Sequence, residues 1–197
     1  MSAGAASTMT FAKGGMNPEK ARAPGDARPG ALALLDAEFD AYYESVFRYL
    51  LHRSFDRELA EELTAETFYK AATFVRRLRA DRRELHMWLL RVATNLANAH
   101  LRKVRWRRLL FGRWAASVAA KPAGGSETQS VVDQCRERVR AAMQALPAAD
   151  QAVIALRYYT QLPYEDIAEI LGCRTETVRA RLSRALKRLR ERLENEG

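Results

Sequence analysis

From Leu35 onward the large apolar residues recur at steps of three and four, and no Val-, Ile- or Thr-rich alternation bounded by turn residues occurs. Such a period stacks side chains on one face of a helix and is incompatible with a half-buried strand. Leu35, Phe39, Tyr42, Tyr43, Val46, Phe47, Leu50 and Leu51 predict one long amphipathic helix beginning at Leu34. A second begins near Arg57, with Leu59, Leu63, Phe68, Ala71, Phe74, Val75 and Leu78 on its stripe. The polar stretch Arg79 to Glu84 interrupts it. A third runs from about Leu85 through Trp88, Leu89, Val92, Ala93, Leu96 and Leu101 into a run of Arg. Residues 117–130, SVAAKPAGGSETQS, have no period and carry the Pro, Gly and Ser of a flexible linker. Beyond them Val132, Cys135, Val139, Ala142, Met143 and Leu146 resume helical spacing until Pro147 stops the helix. Ala148 to Tyr159, Tyr164 to Leu171 and Thr175 to Glu194 predict three more. The expected fold is all-α: two small helical domains, 31–116 and 131–197, joined by the linker. Residues 1–30 have few large apolar side chains to offset the entropy of ordering them and are expected to be disordered.

Composition narrows the function. Thirty-three Lys and Arg against 24 Asp and Glu leave a net charge of +9, which favours a polyanionic partner. No apolar run approaches the roughly 18 residues of a membrane span, and no secretory signal opens the chain, so no membrane insertion is expected. Two cysteines, Cys135 and Cys173, form neither a disulfide framework nor a zinc spacing, and a reducing cytoplasm is the default. His52, His86 and His100 are not spaced as a metal set. The charge is uneven: acids dominate Asp36 to Lys70, whereas Arg102, Lys103, Arg105, Arg107, Arg108 and Arg113 follow one another with no acid between. Arg174 to Arg192 forms a second basic patch.

The C-terminal patch has the pattern of a helix-turn-helix. Ala168 is the small residue where two helices cross, Gly172 the turn residue tolerant of positive φ, and Val178 the apolar residue that packs back. Ile167, Ile170 and Leu171 fill the shared core, and Thr175 is placed to cap the second helix. Arg174, Thr177, Arg179, Arg181, Ser183, Arg184 and Lys187 crowd the front of that helix, where Arg can bond guanine in the major groove. Arg188, Arg190 and Arg192 alternate with leucines and fit a solvated face, near phosphates at most.

ELTAETFYKA (62–71) with MWLLRVATNLANAHLRK (87–103) resembles region two of bacterial sigma factors, and ALPAADQAVIALRYYTQLPYEDIAEILGCRTETVRARLSRALKRLRERL resembles region four. With no third domain between them, the chain resembles the short extracytoplasmic-function (ECF) group of the sigma-70 family. The resemblance implies a promoter-specificity subunit with no catalytic residues, cofactor or metal. Its implied partners are core RNA polymerase (β′ and β subunits), promoter DNA and, as often in the family, an anti-sigma protein. It implies that the helix of Glu62, Leu63, Glu66, Thr67 and Phe68 docks on a β′ coiled coil. Glu62 and Glu66 also fit an ordinary solvated helix edge, and Phe68 is divided between core and interface.

Arg79 to His86 and the following helix match the segment that opens the duplex and reads the minus-ten element. Holding a base out of the stack needs polar edge contacts, and the displaced strand needs cations. Arg82, Arg83, His86, Arg91, Asn95, Asn98, Arg102 and Lys103 are the candidates, while Trp88 suits the core better than a stacking platform. The chain departs from the family pattern at Ala65 (commonly Gln), at Asn98 and Ala99, at Glu176 and Ala180 in the recognition helix, and at Pro163, where a Ser or Thr cap is usual. Glu165 and Asp166 in the first turn there can compensate through the helix dipole. Two rival readings are a stand-alone helix-turn-helix regulator with a sensing or dimerising N-terminal domain, and a metal-dependent nucleic-acid enzyme.

Overall fold

A computed structural model describes residues 30–74, 81–115 and 131–195, all in helices or short turns, with no extended strand among them. The helices are α1 (Ala31–Ala37), α2 (Phe39–Ser54), α3 (Arg57–Phe74), α4 (Arg82–Ala115), α5 (Val131–Gln144), α6 (Ala148–Tyr158), α7 (Tyr164–Leu171) and α8 (Thr175–Asn195). The expected leader up to residue 29, the linker, and Val75 and Leu78 of the second helical stripe lie outside the described residues.

Two boundaries differ from the periodicity. The long first helix is broken at Glu38, whose φ of −119° and ψ of 20° leave the helical region. The break lets the buried Ala31 and Leu35 of α1 turn against α4. An unbroken stripe of Leu and aromatic residues hides this change of direction because the period continues through it. The stretch Arg79 to Glu84 is not wholly an interruption either: Arg82, Arg83 and Glu84 are the first turn of α4. Asp81 caps it, its Oδ1 accepting the Glu84 N–H at 2.8 Å while Glu84 Oε2 accepts the Asp81 N–H at 2.9 Å. That reciprocal pair is a capping box.

The N-terminal half packs α2, α3 and α4 around Tyr49, Leu50, Leu85, Leu89 and Leu90, all fully buried. Tyr49 donates to Thr94 Oγ1 at 2.9 Å, since the Thr94 hydroxyl itself donates to the Leu90 carbonyl. Trp88 stacks on Phe74 at 5.8 Å, as expected of a core-flanking ring. In the C-terminal half α8 runs against α5, α6 and α7. Gly172 adopts φ +63°, and the Cys173 N–H bonds the Ala168 carbonyl at 3.0 Å, closing α7 in a Schellman turn. Val178 is fully buried and Ala168 nearly so, which gives the helix-turn-helix its expected crossing. Thr175 is not the cap of α8 but its first residue: the Arg174 carbonyl accepts the first helical bond, from Val178.

Replacing Asp81 by Ala removes one side of the capping box. Stability is expected to fall by about 1 kcal/mol, read as a lower urea midpoint with an unchanged slope.

Candidate nucleic-acid interface

On α8 the cations form two ridges flanking the exposed arc. Thr177, Arg181 and Arg184 recur at steps of four and three, and Arg179, Ser183 and Lys187 at steps of four. Arg174, Arg179, Ser183, Arg184 and Lys187 are exposed, and Thr177 and Arg181 half-buried. Arg179 leans over the Tyr164 ring at 5.3 Å and reaches Glu165 at 3.8 Å, an exposed pairing that holds it only weakly. Arg188 is different. It reaches Asp150, whose side chain is only 8% exposed, so this cation ties α8 to α6 while half of its own side chain stays in solvent.

On α4, Arg91, Asn95, Asn98 and Arg102 recur at steps of four, three and four along one ridge. Asn95, Arg102 and Lys103 are exposed. At the helix start Arg82 pairs with Glu38, and the Tyr42 hydroxyl donates to the Arg82 carbonyl at 3.2 Å. Glu38, Ala41, Tyr42, Ser45, Arg82, Arg83 and His86 line a cleft of about 410 Å³ there.

The C-terminal half covers part of this ridge. Arg83 meets the Asp166 carboxylate with both Nε (3.2 Å) and Nη2, a two-pronged contact that also raises the Arg83 pKa. Arg91 donates to the Glu169 carbonyl at 2.8 Å and approaches its carboxylate at 3.5 Å. Asn98 accepts from Arg53 at 2.7 Å. Arg53 also donates to Gln151 Oε1 and, at 2.7 Å, to the Ala148 carbonyl. His52 stacks face to face on Tyr159 at 3.6 Å, and His86 shares a hydrogen with Ser45 Oγ at 2.8 Å. Asp166 was expected to serve the dipole of α7; it lies in that first turn, but its carboxylate is spent on Arg83.

Helix α3, on which the docking residues are expected, divides by face. Leu63 and Thr67 are buried, Thr67 donating to the Leu63 carbonyl at 2.7 Å, and so are corrected from contact residues to core residues. They repeat at i and i+4 on the inward stripe. Phe68 is half-buried, edge-on to Phe39 at 5.0 Å. Glu62 is exposed, and Glu66 pairs with Lys70 at 2.9 Å. Tyr69, 72% exposed, lies three residues beyond Glu66 on this outer face. It was missed, and the signal for it was its step of seven from Glu62. Arg53 and Gln151 were also missed, because no local spacing predicts a contact across 98 residues.

Family profiles match in both halves: sigma-70 region 2 over residues 39–107 and sigma-70 region 4 over residues 136–189. The chain is 30% identical to the ECF RNA polymerase sigma factor SigL of Mycobacterium tuberculosis, over 90% of this chain and 98% of that protein. It is 26% identical to the ECF RNA polymerase sigma factor BldN of Streptomyces coelicolor, over 77% of this chain but 57% of BldN. Among solved structures, the sigma factor RpoE from Bartonella quintana, in complex with the anti-sigma factor NepR, superposes with a TM-score of 0.61. It is 25% identical, covering 81% of this chain and 96% of that one.

Burial lowers the pKa of both His52 and His86 from 6.5; Arg48 lowers His52 further, whereas Asp166 opposes the shift at His86. The unfolded chain therefore binds more protons than the folded one in the window just below 6.5. Stability is full above that value and falls as pH drops through it toward the lowered folded values. A melting series from about pH 7.5 to 5.5 should show this loss, and His52→Gln with His86→Gln should flatten it.

Proposed function

The chain belongs to the sigma-70 family of RNA polymerase sigma factors, in its extracytoplasmic-function group, and from that premise we propose which of its surfaces do the work. It directs core RNA polymerase to promoters and initiates transcription. Sigma factors are DNA-binding initiation factors rather than classical enzymes, and the chemistry of RNA synthesis is left here to the polymerase. The N-terminal domain is assigned to residues 31–116 and the C-terminal one to 131–197.

The outer face of α3, with Glu62, Glu66, Tyr69 and the rim of Phe68, docks on the polymerase. An aromatic anchor among carboxylates suits an interface with a basic partner. Arg91, Asn95, Asn98, Arg102 and Lys103 take the minus-ten strand, cations on phosphates and amides on base edges. Arg82, Arg83 and His86 border the cleft beside that ridge, which has room for an unstacked base. Arg174, Thr177, Arg179, Arg181, Ser183, Arg184 and Lys187 read the minus-thirty-five duplex. The observation that carries the reading is the pair of separate surfaces: a polar ridge on α4 in one half and a helix-turn-helix with exposed cations in the other. Two weak contacts held on one polymerase reinforce each other through effective concentration.

An anti-sigma protein is included among the partners, on the likeness to RpoE, whose structure holds one. The place of action is assigned to the cytoplasm with the polymerase. Among the described residues no helix is long and apolar enough to cross a membrane.

Run-off transcription with core polymerase on a promoter library tests the assignment. Arg179→Ala and Arg184→Ala should each weaken selection at the upstream element by roughly tenfold, the loss of one good base contact. Selection should remain intact at the minus-ten element. Unchanged upstream selection in both variants overturns the role given to α8. Glu62→Lys should instead lower transcription uniformly across the library.

A further inference from the structure

We propose that the C-terminal half folds back as an autoinhibitory cover in which the Asp166 and Glu169 carboxylates occupy, on Arg83 and Arg91, the positions that promoter phosphates take. The inference rests on the assignment of the α4 ridge to minus-ten DNA.

Three observations carry it. The first is geometry. Arg83 holds Asp166 through both Nε and Nη2, the forked contact with which a guanidinium also grips two oxygens of a phosphate. The second is register. Asp166 and Glu169 stand three residues apart on α7, so they share a face, and they meet cations eight residues apart on one side of α4. One helix is thus laid along the other with its acids over the ridge. The third is burial. The Asp166 side chain is 4% exposed beneath Arg83, and the Arg91 side chain is only 21% exposed beside Glu169, so these two cations are engaged while the halves stay together. Asp166 lies on the first helix of the helix-turn-helix, away from the base-reading arc of α8. Its charge therefore opposes no duplex contact assigned above.

The cover is built to be released. Arg83 is 62% exposed and Glu169 55%, so salt and a competing polyanion reach both pairs. Arg53 is buried with neutral acceptors at all three of its hydrogen bonds and none at Nε. Separation of the halves returns it to water, which offsets part of what is lost.

The test uses the full chain and a short fluorescent single-stranded DNA of random sequence, because the mimicry concerns phosphates rather than bases. Asp166→Asn with Glu169→Gln should raise the radius of gyration in small-angle scattering and tighten DNA binding by about tenfold, a coupling of ordinary size. Adding Arg83→Ala and Arg91→Ala should abolish the gain while the chain stays open. The inference is overturned by unchanged compactness, by opening without tighter binding, or by a gain that survives the two Arg replacements and so belongs to α8. Should the paired change disturb folding, Glu169→Gln alone, at an exposed side chain, makes the same measurement. The underlying assignment fails separately. If holoenzyme carrying Arg83→Ala and Arg91→Ala still opens promoters normally, the minus-ten role of the ridge is lost whatever the free chain does.

Discussion

Arg53 joins the two halves of the chain, and it does so without a carboxylate. Its side chain comes from α2, is 2% exposed, and donates to Asn98 on α4, to Gln151 on α6 and to the Ala148 carbonyl at the start of α6. Burial lowers its pKa, with Tyr49 pulling the other way. Taking a cation out of water costs several kcal/mol, and three hydrogen bonds from a charged donor return a comparable amount. The junction therefore adds little net stability. It fixes position instead: each acceptor must lie where the planar guanidinium can reach it, so α6 has one seat against α2 and α4 rather than a range of them. Gln151 carries the constraint onward, because its Nε2 donates to the carbonyls of Gln144 and Leu146 and so anchors the end of α5.

Once α6 is seated, the remaining contacts between the halves fall along its two sides. His52 reaches Tyr159 just past the end of α6, and α7 lies beside α4 with Asp166 and Glu169 toward the basic ridge. The net charge of +9 hides this arrangement. What matters is that acids are grouped on α3 and α7 and cations on α4 and α8. One acidic group then faces outward, and the other faces a cationic ridge of the same chain. Asp150 and Arg188 repeat the device inside the C-terminal half, where a nearly buried carboxylate holds α8 on α6.

The helices were legible because burial on one face imposes the period of three and four directly on the residues. The helix-turn-helix was legible for a related reason: Ala168, Gly172 and Val178 answer local geometric needs within eleven residues. The break at Glu38 and the start of α4 at Arg82 were not. A stripe continues through a change of axis, and a capping box of Asp81 and Glu84 inside a charged run looks like an interruption. On α3 the motif mixes two faces, so Leu63 and Thr67 were grouped with Glu62 although their spacing places them in the core. The contacts between halves left no local trace at all. Asp166 has an adequate explanation at the end of its own helix, and only its neighbour Arg83, 83 residues away in sequence, changes its meaning.

With the roles proposed above, the arrangement also orders the events of assembly. The exposed Glu62 and Tyr69 on α3 lie on a face that the C-terminal half leaves open, whereas Arg83 and Arg91 are engaged by it. Docking on polymerase needs no prior separation of the halves; contact with the minus-ten strand does. A ligand shifts such an equilibrium only by its preference for one state, so the surface on α3 alone, equally available in both, cannot open the chain. Opening has to come from contacts that exist only when the halves are apart: the C-terminal domain seated elsewhere on the polymerase, and phosphates replacing carboxylates on Arg83 and Arg91. Free DNA supplies the second without the first, and a random polyanion must then compete against acids that the covalent connection through residues 116–130 keeps close at hand. Polymerase and promoter together supply both, which makes selective binding a property of the complex rather than of the free chain.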